Sequence, residues 1–283
     1  LIGIKEATKG KVEVLLLHEI PEEGEDVWEC LVGNAHSVRI GTRCIFGEGK
    51  LIATCVRVRD EGIRHMKLDY DGVFLEVLDE LGAMPLPPYI KKMCDDKDDY
   101  QTVYAKVPGS VAAPTAGFHF TEELFDKIKA KGCEVIDVTL NIGLGTFRPV
   151  KVSDTKDHVM HSETYAVSEE AASRLNLAKK EGRRIIAIGT TSVRTLESVY
   201  QKHGVFVADS SSTSIFLSPG YKYLAVDALI TNFHLPKSTL VMLVSAFMGR
   251  EWTLRCYEEA IKERYRFFSF GDAMFIYGES GED

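Results

Sequence analysis

No Cys-x-x-Cys pair occurs in this sequence. The six cysteines (Cys30, Cys44, Cys55, Cys94, Cys133 and Cys256) are scattered, so a zinc site or dithiol redox pair is not expected. Free thiols in a reducing cytoplasm are the simpler reading. Long apolar runs are also missing: the longest, Leu240–Met248, is far short of a membrane span. No basic-then-apolar stretch opens the chain, and a cytoplasmic location is expected. Positive charge is in deficit, with 34 Lys and Arg against 42 Asp and Glu and a net charge of -8. That argues against a generic polyanion binder while allowing a local basic face. The chain has no internal repeat and no low-complexity tract. Gly143-x-Gly145 lacks the third glycine of a dinucleotide fingerprint.

What is present describes a globular protein with real cores: 283 residues, 45% hydrophobic and 27% charged. Residues 1–10 read as an edge or connector of a larger domain, and 11–84 as a small all-β barrel. Strands are expected at Lys11–Glu19, Val27–Val32, Thr42–Phe46, Lys50–Arg59 and Ile63–Tyr70, then a short helix ending at Gly82. Residues 85–108, with Pro85, Pro87 and Pro88 and the charged run around Asp95–Asp99, read as a linker. From residue 109 to 283 strands alternate with helices. Thr121 and Ser168 cap two helices, Ser192–His203 forms a third, and Lys237–Met248 a fourth that should be buried. Glu134–Leu140, Arg184–Ile188, Ala225–Ile230 and Ala273–Tyr277 read as strands. The expectation is an α/β fold with a mostly parallel sheet, open or closed into a large barrel, beside the small all-β barrel.

Ligands of α/β folds gather beyond the carboxyl ends of the strands. Here those ends are unusually specific: Asn141–Pro149, Gly189–Arg194 and Thr231–Lys237. Gly189–Ser192 would offer N–H groups and hydroxyls to an anion, although ordinary capping explains it as well. Arg194 and Glu197, three apart, can pair along a helix. Gly109–Thr121 is small and apolar yet carries His119, either as an interdomain connector with a packed histidine or as a site wall. His158 and His161 are three apart with no evident third metal ligand, so acid–base or hydroxyl recognition with Glu163 is favoured over a metal. His234 precedes a helix start. Lys262, Arg264 and Arg266 interleave with Tyr265, Phe267 and Phe268, a pattern that suits RNA phosphates and stacked bases or a solvated basic face.

Taken together, Gly109–Thr121, Val138–Val150, His161–Tyr165, Gly189–Ser198, Pro219–Thr239 and Glu263–Met274 closely resemble the S-adenosylmethionine:tRNA ribosyltransferase-isomerase (QueA) family of queuosine biosynthesis. Asp69–Ile90 and Tyr100–Lys106 match too, and weaker similarity reaches Leu1. The family implies a large α/β barrel with a small β-barrel inserted. It also implies several dozen further residues upstream of the position of Leu1, so part of the larger domain is expected there. Two stretches depart from its pattern. Gly33–Ser37 replaces a basic Arg-Pro-Gly-Lys-like loop, and Ser211–Ser214 replaces Gly-Trp-Thr-Asp.

The resemblance implies that S-adenosylmethionine is consumed as ribosyl donor, with no true cofactor. The acceptor is 7-aminomethyl-7-deazaguanine at the tRNA wobble position, and the products are epoxyqueuosine, adenine and methionine. A base must remove a proton from the carbon beside the sulfonium, and His119, His161 or His234 is expected to supply acid–base work. Glu163 would hold ribose hydroxyls or assist proton transfer. Thr190, Thr191 and Arg194 would bind the methionine carboxylate or a phosphate, and Phe147 and Phe233 would stack on a base. Thr146, Asn232 and Lys237 complete the expected substrate-binding set. Lys262, Arg264 and Arg266 would meet tRNA. No metal, no membrane and a monomer are expected.

Two other readings compete. A conventional methyltransferase would carry a Gly-x-Gly turn after an early strand, and none precedes Asn141. A binding module built on the small barrel would not need a polar cluster spread over three strand ends.

Overall fold

Apolar side chains alternate with polar ones through the first part of the chain, and there the strands close into a barrel. The computed structural model describes the chain apart from residues 84–85, 87–89, 91–99, 107–108, 111, 143–159, 161 and 278–283. It divides into two compact units, Leu1–Lys97 and Asp98–Asp283.

The strands of the first unit are β1 (Ile2–Lys5), β2 (Lys11–Glu19), β3 (Val27–Val32), β4 (Arg43–Phe46), β5 (Leu51–Val58) and β6 (Ile63–Tyr70). They close in the order β1-β2-β3-β6-β5-β4, with β4 returning to β1, and every pair is antiparallel. Bulges at Leu16/His18 and Cys55/Arg57 bend two strands round the closure. Val14, Cys30, Cys44, Phe46, Leu51, Met66 and Leu68 fill the interior. Burial pushes the Cys44 thiol up to about 11 and that of Cys30 higher still, so these cysteines pack rather than react. Helix α1 (Phe74–Leu81) adds Phe74, Val77, Leu78 and Leu81 to this core. The Gly33–Ser37 stretch is braced from within: the buried Arg64 guanidinium donates to the carbonyls of Ala35 at 2.6 Å and Val38 at 2.8 Å.

Residues 1–10, read from the sequence as an edge or connector of the larger domain, include β1 (Ile2–Lys5), a strand of this barrel. The alternation there is inverted. Ile2 and Ile4 point outward, 58% and 37% exposed. The inward position is Gly3, where an added Cβ would lie 2.5 Å from Phe46 Cδ1 and 2.3 Å from the Ile45 carbonyl oxygen. A strand whose core-facing residue must be glycine shows no hydrophobic alternation.

The second unit contains α2 (Glu122–Ala130), β7 (Thr139–Asn141), β8 (Glu163–Val167), α3 (Glu169–Lys180), β9 (Ile186–Ile188) and α4 (Gly189–His203). It continues with β10 (Asp209–Thr213), β11 (Ala228–Asn232), α5 (Thr239–Met248), α6 (Arg250–Lys262) and β12 (Ala273–Tyr277). Among the described residues the strands form two three-stranded sheets, β10-β8-β7 and β12-β11-β9. Only β9 and β11 run parallel, so these sheets are not mostly parallel. Val167, Leu175, Ala187, Val193, Val199, Phe206, Leu229 and Val244 make the core.

The caps follow side-chain chemistry. The hydroxyls of Thr121, Ser168 and Ser238 accept from the N–H groups of Leu124, Ala171 and Val241 at 3.1–3.3 Å. Helix α5 therefore starts from Ser238 rather than at Pro236. Helix α4 starts at Gly189, three residues before the expected Ser192. Of the expected strand Glu134–Leu140, only Thr139–Asn141 joins a ladder, although Ile136, Val138 and Leu140 still pack on the core. Strand β10 is a run of serines that no apolar pattern marks. In α5, Leu243, Val244 and Ser245 are buried and the rest is not, so the helix is less enclosed than its composition implies.

Candidate active site

The stretch from Gly109 to Thr121 runs past three strand ends of the second unit. Near β7, the Asn141 side chain is 3.4 Å from where a Cβ on Gly109 would sit, and the Ile142 N–H donates to Ser110 Oγ at 3.0 Å. Beyond β9, Ala116 lies against Gly189, the first residue of α4. At the end of β11, His119 Nε2 is 2.8 Å from Asn232 Oδ1.

A 3-10 turn at Thr115–His119 presents the histidine. Its fit depends on Gly117, where a Cβ would fall 2.1 Å from Tyr104 Oη and 2.6 Å from Thr102 Cγ2. Phe118 packs between Tyr100 and Phe270, with ring centroids 5.3 and 5.7 Å away. Tyr100 Oη in turn meets Ser269 Oγ at 2.9 Å. Asn232 is buried, and its amide donates to the carbonyls of Phe268 at 2.9 Å and Ser269 at 3.1 Å. His119 is thus held from both sides by the 268–270 loop while its own side chain stays exposed. Asp272 is close enough that the His119 imidazole helps to hold its carboxyl down, after the larger effect of hydrogen bonds from Arg266.

His234 sits differently. Its Nε2 lies 2.9 Å from Thr231 Oγ1, and its backbone N–H donates to Tyr257 Oη at 3.0 Å. Burial pushes the imidazole down to about 4, so it is uncharged at neutral pH. Such a group hydrogen-bonds readily and is a poor proton acceptor. His161, Thr146 and Phe147 lie outside the described residues.

Glu163 opens β8 and is buried, as is Arg194 on α4, and Arg194 Nη1 donates to Glu163 Oε2. Arg194 Nε and Nη2 are buried with no hydrogen-bond partner among the described residues. The pairing of Arg194 with Glu197 expected along the helix does not occur. Glu197 faces the other way and is fully buried. Its carboxylate accepts from the N–H groups of Leu224, Ala225 and Val226 and from Tyr221 Oη at 2.9–3.1 Å. Four donors, three of them backbone, outcompete one guanidinium three positions away. Burial, with the Glu197 charge adding to it, drives the Tyr221 and Tyr223 phenols upward.

Thr190 and Thr191 stand in the first turn of α4, half-buried, where the helix has no side-chain cap. Phe233 is only 5% exposed, its ring enclosed by Tyr257, Tyr265 and Phe267 at centroid distances of 5.0–5.8 Å. It is therefore not open for a base to stack on. Tyr265 and Phe270, by contrast, are each about half exposed.

The cations also divide. Lys262 pairs with Glu259 at 3.2 Å and Arg266 with Asp272 at 2.9 Å. Lys237 and Arg264, both exposed and both at positive φ, make no ion pair among the described residues. Among those residues no group of three His, Cys, Asp or Glu side chains is arranged to hold a metal ion. The sequence reading missed Tyr100, Ser269 and the Phe268 and Ser269 carbonyls. Two of these act through backbone atoms, for which sequence carries no signal.

A family model described as queuosine biosynthesis protein matches residues 1–276. The S-adenosylmethionine:tRNA ribosyltransferase-isomerase of Staphylococcus haemolyticus (strain JCSC1435) is 58% identical over 276 residues, covering 98% of this chain and 80% of that protein. The crystal structure of S-adenosylmethionine tRNA ribosyltransferase from Thermotoga maritima is 33% identical, covers 97% of this chain and 78% of that one, and aligns with a TM-score of 0.46.

Proposed function

The chain belongs to the family of queuosine biosynthesis proteins, and on that premise we propose how it carries a ribosyl group from S-adenosylmethionine to tRNA. Its activity is that of an S-adenosylmethionine:tRNA ribosyltransferase-isomerase, and the observation that carries this is the 58% identity along 98% of the chain. The acceptor in this reading is the aminomethyl group of 7-aminomethyl-7-deazaguanine at the wobble position. Deprotonation beside the sulfonium gives an ylide that the positive sulfur stabilises. Ring opening expels adenine, the amine adds, and epoxide closure expels methionine to give epoxyqueuosine. S-adenosylmethionine is consumed as a substrate, and no resident cofactor enters the scheme.

The larger unit is read as an α/β barrel, which the parallel β9–β11 pair and the alternation of strand and helix support. Its candidate site is the cluster at the ends of β9 and β11. His119 is the favoured acid–base group, since its side chain is exposed and anchored at one nitrogen. His161 keeps the role the motif gives it, and His234 is assigned to hydrogen bonding. Thr190 and Thr191 at the start of α4 suit the methionine carboxylate or a phosphate. Glu163 with Arg194 forms the charged floor beside them. A cytoplasmic monomer is the working form, in keeping with a tRNA substrate; no described helix is long and apolar enough to cross a membrane.

The test is product analysis with precursor-bearing tRNA and S-adenosylmethionine. Free adenine and methionine are expected; S-adenosylhomocysteine would show a methyl transferase instead.

Docking of tRNA should draw first on Lys237 and Arg264, which make no ion pair among the described residues. Lys237→Ala and Arg264→Ala are each expected to lower the slope of log affinity against log salt by about 0.7–0.9, the loss of one released counterion. Lys262→Ala and Arg266→Ala should change it less, because those charges are already offset by Glu259 and Asp272. Filter binding across a salt series decides this. Equal slopes for all four variants would remove the distinction.

A further inference from the structure

We propose that Asn232 locks His119 as its Nε2–H tautomer, so that Nδ1 is the nitrogen that accepts the proton from the carbon beside the sulfonium. The proton transfer rests on the ribosyl-transfer reading above; the tautomer does not.

A carboxamide has two N–H donors and one carbonyl acceptor. Both donors of Asn232 are spent on the Phe268 and Ser269 carbonyls, at 2.9 and 3.1 Å. Carbonyl oxygens only accept. Rotating the amide by half a turn would set Oδ1 against two other acceptors in a place where Asn232 is 2% exposed to water. The orientation is therefore fixed by the backbone, and Oδ1 faces His119. Because Oδ1 also only accepts, the 2.8 Å contact requires a hydrogen on Nε2.

A neutral imidazole carries one hydrogen, so the lone pair lies on Nδ1. No described group bonds Nδ1, and the His119 side chain is exposed. The transfer balances simply. The lone pair takes the proton, the imidazole becomes imidazolium, and the electron pair stays on carbon beside the positive sulfur. Nε2–H keeps its bond to Oδ1 throughout and strengthens it once the ring is charged. Asn232 is thus a positioning residue, and nothing else needs to reorganise when the proton moves. His234 contrasts with it: its Nε2 is already engaged by Thr231, and burial opposes its charging.

The wild-type chain with 15N-labelled histidine, free of substrate, is expected to show His119 with a protonated Nε2 and an unprotonated Nδ1. In Asn232→Ala the His119 signals should average over both tautomers. His119→Gln keeps an amide N–H where Nε2–H stood but has no basic nitrogen. It should retain S-adenosylmethionine and tRNA affinity within about twofold and lose adenine release by about 100- to 10,000-fold. A wild-type Nδ1–H tautomer overturns the proposal, as does a pure Nε2–H signal in Asn232→Ala or a His119→Gln rate above a tenth of wild type. If the unmodified chain releases no adenine, the reaction itself fails, while the spectrum still decides the tautomer.

Discussion

Glu163→Ala is expected to lose about 3–5 kcal/mol of folding stability, and more than Arg194→Met loses. Both side chains of the pair are almost wholly out of water, 2% and 7% exposed. Removing the carboxylate strands a guanidinium that cannot shed its proton, and Nη1 joins Nε and Nη2 as a buried donor with no acceptor among the described residues. Removing the arginine leaves a carboxyl group, which can pick up a proton and enter the interior neutral. Glu163→Leu combined with Arg194→Met should recover most of the loss, because no charge is then left to solvate. Urea unfolding of the four chains measures it. If Glu163→Ala and Arg194→Met cost the same, or either costs under about 1 kcal/mol, the pair is not held in a low-dielectric interior.

The same pair shows where sequence reading reaches its limit. Glu163 and Arg194 are both visible as unusual charges at strand and helix starts, yet 31 residues separate them and no spacing rule joins them. Helical geometry suggests the nearer partner, Glu197, and that suggestion fails because the chain after Tyr221 brings three backbone N–H groups to the carboxylate. Elements with strong local chemistry read well. Caps at Thr121 and Ser168 and the alternation of β2 through β6 appear where expected. What stays hidden is set by contacts distant in sequence: β1, whose inward residue is a glycine under Phe46, and β10, a polar strand paired to β8. In the site, His119 and Asn232 are legible as residues. Their relation is not, since it depends on two carbonyls of the 268–269 loop.

Glu197→Ala should be comparably damaging, at about 3–5 kcal/mol, and here glutamine is not a mild replacement. Oε1 accepts from Ala225 and Val226, and Oε2 from Leu224 and Tyr221, at 2.9–3.1 Å. Every partner donates here, although the Tyr221 hydroxyl can also accept. An amide nitrogen at the Oε1 position would face two backbone N–H groups, whereas at the Oε2 position it can donate to the Tyr221 hydroxyl and conflicts only with the Leu224 N–H. A buried donor left without an acceptor costs about 1–3 kcal/mol, so with the amide turned the better way Glu197→Gln should lose about 1–3 kcal/mol where an isosteric change normally loses little. The damage should also travel. Residues 224–226 lead directly into β11, whose last residue is Asn232. Slack at the start of that strand loosens the amide that orients His119. Glu197→Gln is therefore expected to lower adenine release at a temperature where the chain is still folded, with S-adenosylmethionine affinity changed less than the rate. Denaturant unfolding and single-turnover kinetics on the same preparation separate the two effects. Full stability in Glu197→Gln would mean that a water or a shifted backbone can accept from the stranded Leu224 N–H, and β11 would then need another anchor.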